Sequence, residues 1–515
     1  VTRAAGPTGH LAAVAVADAA LGAVTLAGTV TDRGAAAAPV APVADAAAAA
    51  PAGTDGGLAA PGRAPVPAAA LAELADAVAS VRTDATARDA ARTDRSGWSA
   101  GGAPDAVVRA TSVDDVVATL RWAHAHRVPV VPRGAGSGLA GGAAAGPGQV
   151  VLDVSGLDRV LAVRPEDGVA VVEPGVVTAD LDRAARAHGL RYAPDPGSVE
   201  LSTIGGNIAT NAGGLRCVKY GVTRDAVLAL DVVLADGSLL RTGAATLKGV
   251  TGYDLTSLFV GSEGTLGVVV RATLRLTPVP VATATVVASF AEVGDAAAAA
   301  TAVTAAGVRP STLELLDAAT LAAVDAAQGT DLGARGGALL LVQTDGFAAA
   351  AEAEVVAGVL GATATHLERT ADPERGAALV AARRLALPSI ERHGTVLIED
   401  VAVPRSALAD AVRGIAAVSA RTGVRVFTLA HAGDGNLHPV VLTDDGVVTP
   451  RVQRTLDAIV ALALDLGGTL TGEHGVGALK RPWLDDELDP VARAAHRAVK
   501  AALDPLGLLN PGKAI

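Results

Sequence analysis

The chain has 515 residues, more than one ordinary hydrophobic core accommodates, so two or three domains are expected. Half the residues are apolar, but aromatics make up only 2% and methionine is absent, so the core must be filled by Ala, Val and Leu. A net charge of −11 argues against nucleic acid as a partner, and the single cysteine, Cys217, excludes an internal disulfide and a cysteine-ligated iron–sulfur cluster.

A cytoplasmic, reducing compartment fits that cysteine usage. No run of about 18 uncharged apolar residues suggests a membrane span. Residues 1–70 are Ala-, Pro- and Gly-rich with few large apolar groups, and are expected to form a disordered extension. A basic start is almost lacking and Asp18 interrupts the first apolar stretch, so no signal peptide is expected. From "PAAALAELADAV" a helical period begins, and "TDATARDAARTDRSGW" is expected to continue it. "SVDDVVATLRWAHAH" (112–126) reads as an amphipathic helix capped by Ser112, with Asp114 and Asp115 in its first turn.

"VPVVPRG" then reads as a strand entering the loop "PRGAGSGLAGGA". This loop holds a formal G-x-G-x-x-G at Gly136, Gly138 and Gly141. The following "GGAAAGPGQ" cannot hold the helix that a dinucleotide-binding Rossmann loop opens, so NAD is not expected here. Closely approaching backbone N–H groups can still form a nest for a pyrophosphate, although a flexible linker would have the same composition. Short strands alternate with Gly-rich turns over 150–280, and "ADG" at 235–237 signals a hairpin. Within this region "PDPGSVELSTIGGNIATNAGGLRCVKYGVTRD" (194–225) is poor core material, and its small hydroxyl and amide residues suit a loop wrapped round a large polar cofactor. "GSEGTLG" (261–267) is a third such loop.

From about 281, strands such as "VATATVVASF", "STLELLD" and "GALLLVQTDG" alternate with helical "VGDAAAAATAVTAAG", which suggests a sheet backed by helices. In "HAGDGNLHPVV" (431–441) an Asp-Gly pair suits a two-residue hairpin turn, which would set His431 opposite His438 on one face. Two imidazoles so placed can share a metal ion or can be ordinary polar residues beside a loop. Helices are expected at 449–466 and 488–503.

The order PRGAGSGLAGG, PDPGS, STIGGNIATNAGG, KYGVTRD and GSEGTLG resembles the FAD-binding domain of the vanillyl-alcohol oxidase superfamily, the type named after p-cresol methylhydroxylase. Within it, the chain is similar to the branch of the glycolate oxidase flavoprotein subunit, D-lactate dehydrogenase and D-2-hydroxyglutarate dehydrogenase. The resemblance runs from about residue 75 to the C-terminus. It implies an α+β fold: a two-subdomain FAD-binding domain over 75–280, then an α+β substrate (cap) domain over 281–515 with an antiparallel sheet and C-terminal helices returning to the flavin. By this resemblance Pro132, Arg133, Gly134, Ala135, Gly136, Ser137, Gly138, Gly141 and Gly142 cradle the FAD pyrophosphate. Pro194, Asp195, Pro196, Gly197 and Ser198 run along the flavin and diphosphate, as do Thr203, Gly205, Gly206, Asn207, Thr210, Asn211, Gly213 and Gly214. Gly221, Thr223, Asp225, Glu263 and Gly264 help hold the rest, and Asn510 of "NPGK" closes over the flavin region. The 132–146 loop has no histidine or cysteine, so the FAD is expected to be non-covalent.

The same resemblance supplies a third ligand from "GGTLTGEHGVG" (467–477): His431, His438 and Glu473 hold a divalent metal, zinc being the expected ion, and His474 is the catalytic base. Arg383 falls on an arginine that grips the substrate carboxylate, although Val380 replaces the usual tryptophan; an exposed basic helix face is the alternative. Ile398 and Val440 stand where D-2-hydroxyglutarate enzymes carry Lys and Asn, which points to smaller acids. The implied function is oxidation of a small D-2-hydroxy acid, of lactate or glycolate type, to the 2-oxo acid. A non-redox flavoenzyme resembling the ether-lipid synthases, a zinc hydrolase and an inert flavin-binding subunit of a larger oxidase complex stay open as alternatives. The electron acceptor is open between oxygen, a quinone, an electron-transfer protein and an iron–sulfur partner, and a homodimer is an open assembly state. Deleting residues 1–65 is expected to leave flavin content and activity nearly unchanged, as read by absorbance and turnover of the purified protein, because the segment can bury little apolar surface.

Overall fold

The computed structural model describes residues 63–246, 248–444 and 446–515. The expectations of an extension without order and without a signal peptide lie, for residues 1–62, outside the described residues. The packed part begins before residue 70. Val66 and Ala70 are buried, Val66 N donates to Asp105 Oδ2 at 2.6 Å, and Trp122 Nε1 donates to Ala70 O at 2.9 Å.

The first helix, Ala68–Ala77, does not continue through residue 97 as its sequence period suggests. Val78 is extended, Asp115 Oδ1 accepts from Ala79 N, and a strand at Val81–Arg82 intervenes. Asp84 then caps a separate short helix, Ala85–Ala90, by accepting from Ala87 N at 3.0 Å. The Asp side chain competes for backbone donors and starts a new helix where the pattern alone shows one. The helix Val113–His126 has the expected Ser112 cap, completed by Asp115 into a reciprocal capping box.

A four-stranded sheet runs Val81–Arg82, Ala106–Arg109, Val150–Asp153, Val130–Arg133, and its last two pairs are parallel. A second, antiparallel sheet of five strands runs Val160–Arg164, Val169–Val172, Val268–Arg275, Val227–Val233, Leu239–Gly243. The segment 194–225, expected as open loop, contains three short helices: Ile204–Thr210, Cys217–Tyr220 and Thr223–Ala226. Ile204 and Ile208 are fully buried beside Val172 and Leu230. Two branched residues four apart thus anchor an otherwise small-residue segment, and Thr203 and Asn211 close the helix ends.

The third sheet has eight strands, all antiparallel, in the order His366–Thr370, Thr283–Phe290, Ala338–Asp345, Thr312–Asp317, Val426–His431, Asn436–Thr443, Thr395–Ile398, with Val401–Ala402 also paired to Asn436–Thr443. Helices cover both faces. Val286, Leu315 and Leu340 pack with helices Val293–Ala305 and Leu408–Thr422 on one face. Val287, Leu316, Leu341, Phe427, Leu429 and Val440 pack with Ala318–Gln328 and Ala386–Glu391 on the other. Burial on both sides explains why these strands read as continuous apolar runs. Three of the four phenylalanines, Phe259, Phe290 and Phe427, are fully buried; alanine supplies much of the rest, as along Val293–Ala305.

The third sheet is fastened to the preceding part at Asp345, 2% exposed. Its carboxylate accepts from Lys219 Nζ at 2.5 Å and Tyr220 OH at 2.7 Å, and Arg191 Nη2 lies 3.4 Å away, stacked on the Tyr220 ring. Replacing Asp345 with Ala strands a buried guanidinium and a half-buried ammonium, which costs about 3–5 kcal/mol. A clear fall in melting temperature is expected for this variant, and an unchanged melt would show that the fastening contributes nothing.

Candidate active site

The hairpin carrying the two histidines differs from its sequence reading in register. His431 pairs with Asn436 and Leu429 with His438, so the turn has four residues, Ala432–Gly435, rather than two. Asp434 N and Gly435 N both donate to His431 O, at 3.3 and 3.1 Å, which makes the wider turn. The imidazoles still share a face, because side chains repeat with period two and the slip is by two residues. Their ring centroids are 5.0 Å apart, edge to face.

Glu473 completes the group. Its Oε1 lies 3.5 Å from His431 Nε2 and 3.2 Å from His438 Nε2. Those atoms have the geometry of a candidate metal group, each within 4.8 Å of the others. A buried carboxylate oxygen facing two imidazole nitrogens suits a divalent cation that keeps an open position. Burial would raise the Glu473 carboxyl, but the two histidines hold it well below its usual range. His431 is backed from the other side. Its Nδ1 is 2.7 Å from Glu314 Oε1, and Glu314 sits directly opposite it in the sheet. Burial acts against a charged His431, yet the Glu314 carboxylate outweighs it and raises the imidazole well above its ordinary value.

His474 lies beside this group, its ring stacked on His438 at 5.0 Å and 13°. Burial pushes its imidazole down to about 4, against the opposing pull of Asp400, so it is neutral near pH 7. Neighbours in a regular strand would face opposite ways, but residues 471–474 curl round Asp400. Asp400 Oδ2 accepts from Thr471 Oγ1 at 2.7 Å and from the N–H groups of Gly472, Glu473 and His474, each at 2.9 Å.

Arg383 is 11% exposed, so it is not on a solvated helix face. Its Nε and Nη2 contact Glu314 Oε2 at 3.0 and 2.8 Å. The expected two-pronged grip on a substrate is therefore already engaged by Glu314, which leaves Nη1 as the guanidinium group without an acceptor among the described residues.

The glycine loop forms no helix, in accord with the exclusion of a Rossmann loop. Arg133 is engaged within the protein. It staples the loop from beneath, donating from Nη1 to Thr93 O and Ala143 O and from Nη2 to Ala90 O. None of the backbone N–H groups of residues 134–142 donates to an acceptor among the described residues. Half-buried amides without partners suit an anion such as a pyrophosphate. A Cβ on Gly134 would lie 2.4 Å from Thr203 Oγ1, which holds this loop close against Ile204–Thr210.

Several residues expected to hold FAD also brace the scaffold. Asp195 is buried and paired with Arg216, Asn207 donates to Thr178 Oγ1, and Thr210 donates to Gly206 O. Asn211 accepts from Arg224 N, Thr223 donates to Ala212 O, and Asp225 accepts from Val222 N. Glu263 accepts from Val476 N and Gly477 N, both at 2.8 Å, so it clamps the loop after His474, and burial raises its carboxyl to about 7. Polar side chains in tight turns satisfy backbone first, which leaves main-chain groups and small residues to face a cofactor. Asn510 does reach the glycine loop, donating to Gly142 O at 3.0 Å and Glu263 O at 2.7 Å. Pro132 packs against Gly264. Glu314, Asp400 and Lys480 were not identified by motif. Each is a buried charge in or near an apolar run, and that is their sequence signal.

The fold and these loops define an FAD-dependent oxidoreductase. Residues 104–243 match the FAD binding domain family and residues 279–514 match the family described as FAD linked oxidases, C-terminal domain. The chain belongs to this family of FAD-linked oxidases. It is 42% identical to the glycolate oxidase subunit GlcD of Bacillus subtilis, over 80% of this chain and 88% of that protein. It is 35% identical to a D-lactate dehydrogenase of Anaerostipes hadrus, over 80% and 89%. Its fold is that of p-cresol methylhydroxylase, with a TM-score of 0.70 at 16% identity, covering 88% of this chain and 98% of that one. Among the described residues no helix is long and apolar enough to cross a membrane.

Gly213 approaches the site closely: a Cβ there would lie 2.3 Å from Glu473 Oε2. Gly213→Ala is therefore expected to displace the Glu473 carboxylate and, if His431, His438 and Glu473 bind a divalent metal, to weaken that binding by about tenfold or more, with a melting temperature within a few degrees of the parent. Metal analysis after dialysis reads this directly, and undiminished metal would separate Glu473 from the ion.

Proposed function

We propose that the protein oxidises a small D-2-hydroxy acid, of lactate or glycolate type, to the 2-oxo acid, with non-covalent FAD and with a divalent metal, zinc being expected, held by His431, His438 and Glu473. The observation that carries this reading is one carboxylate oxygen facing two imidazole Nε2 atoms, with a third, neutral imidazole stacked alongside. When bound, FAD supplies the hydride acceptor and the metal a Lewis acid that lowers the hydroxyl pKa.

The chain supplies orientation and proton transfer. His474 accepts the hydroxyl proton: its Nδ1 is buried without a hydrogen-bond partner in the group that contains Asp400, which leaves Nε2 for the substrate. Arg383 contributes Nη1 to the substrate carboxylate while Glu314 holds the rest of its guanidinium. Val440 lies on the His438 face of the sheet, paired with Ile398. Two apolar residues there favour a hydrogen or methyl substituent over a second carboxylate, because an unpaired buried charge is costly. The names of the relatives, glycolate oxidase and D-lactate dehydrogenase, support the same substrate class.

Anaerobic mixing with D-lactate, L-lactate, glycolate and D-2-hydroxyglutarate tests this. Bleaching of the flavin by D-lactate or glycolate is expected, with D-2-hydroxyglutarate slower. His474→Ala should keep the flavin spectrum and slow that bleaching by about 10²–10⁴-fold, the usual worth of a general base. An unaltered rate in this variant would remove the proton-transfer role.

A further inference from the structure

Asp400 is fully buried, and its two carboxylate oxygens have different surroundings. Oδ2 is saturated by the four donors from residues 471–474. Oδ1 has no hydrogen-bond partner among the described residues, nor do His438 Nδ1 and His474 Nδ1. Asp400, His438 and His474 each bring one ligand atom within 4.8 Å of the others, and Asp400 Oδ1 is 3.8 Å from His438 Nδ1. Buried polar atoms are rarely left unpaired, so such a group marks a built arrangement. The opposite ring edge of His438 settles which nitrogen must carry its proton. Nε2 is 3.2 Å from Glu473 Oε1, and only a nitrogen without hydrogen can ligate a cation there. The hydrogen then sits on Nδ1, toward Asp400 Oδ1. Lys480 Nζ supplies the countercharge, donating to Asp400 O and Leu470 O and lying 3.0 Å from Glu399 Oε2.

We propose that Asp400 is a positioning residue with two tasks: Oδ2 curls the 471–474 backbone so that Glu473 and His474 face one side, and Oδ1 fixes the Nδ1–H tautomer of both His438 and His474. Nε2 of His438 is thereby offered to the metal and Nε2 of His474 to the substrate hydroxyl. The inference rests on the metal reading given above. It places on His438 the kind of carboxylate backing that Glu314 gives His431.

Asp400→Asn in the full-length, flavin-loaded protein tests it. An amide nitrogen facing the two rings donates to Nδ1 and drives the proton to Nε2, which disables both. The parent is expected to bind a single zinc ion per chain in a competition titration. In the variant the zinc concentration for half-saturation should rise about 10–100-fold. At saturating zinc its kcat should fall with little change in KM, while flavin absorbance and melting temperature stay near those of the parent. Unchanged zinc affinity and kcat in the variant would overturn this inference alone. Two zinc ions in the parent with one lost in the variant would also overturn it, by making Asp400 a ligand. No zinc binding by the parent would overturn both this inference and the metal reading. Should the variant fail to accumulate with flavin, 15N NMR of histidine-labelled, zinc-loaded parent protein decides: protons on Nδ1 of His438 and His474 are expected, and protons on Nε2 would refute the role of Asp400.

Discussion

One carboxylate surrounded by backbone donors sets the geometry of the whole site. Glu473 and His474 are adjacent, and both must face the same space, which neither strand nor helix permits. Asp400 solves this by drawing three consecutive N–H groups and the Thr471 hydroxyl onto one oxygen. Glu263 draws in the next two, Val476 and Gly477. The chain from 471 to 477 is thus shaped by two buried acids, one at the end of the substrate-side sheet and one in the GSEG turn. The Asn510 side chain ties the same turn to the glycine loop, so these segments share one network of side-chain-to-main-chain hydrogen bonds.

Charge balance points the same way. Glu314, Asp400 and Glu473 are carboxylates gathered in one buried region, with Arg383 and Lys480 as the fixed cations beside them. Unpaired charge in a low-dielectric interior is costly, and with Glu399 also beside Lys480 the carboxylates outnumber these two cations; without an ion, a protonated His431 makes up part of the difference. The divalent cation proposed at His431, His438 and Glu473 would supply that positive charge instead. It would also remove the need for His431 to be protonated, as its contact with Glu314 otherwise demands.

Much of the architecture was legible in the sequence for physical reasons. The Ser112 cap, the closing helices Pro450–Asp465 and Pro490–Leu503, and the 235–237 turn are local signals, and the structure follows them. The grouping of His431, His438 and Glu473 was legible because two short motifs carry it. What escaped was non-local or ambiguous at short range. The turn at 432–435 had Asp-Gly chemistry that fits two loop lengths, and tertiary pairing chose the longer one. Asp84 broke a helix whose apolar period continues. Glu314 lies in an apolar run and Asp400 follows Glu399 at the end of one, with no spacing pattern to mark either; their partners lie 117 and 71–74 residues away. The hydroxyl and amide residues of 194–225 read as cofactor contacts, and several of them also hold their own segment together.

The central claim is that hydroxy-acid oxidation depends on an ion at His431, His438 and Glu473. The most direct measurement is anaerobic flavin reduction by D-lactate or glycolate in protein stripped of metal by a chelator, before and after zinc is restored. The account predicts that the stripped protein stays yellow but bleaches at least about 10²-fold more slowly, and that zinc restores the rate. Equal rates with and without metal, in protein shown by elemental analysis to be metal-free, would contradict it.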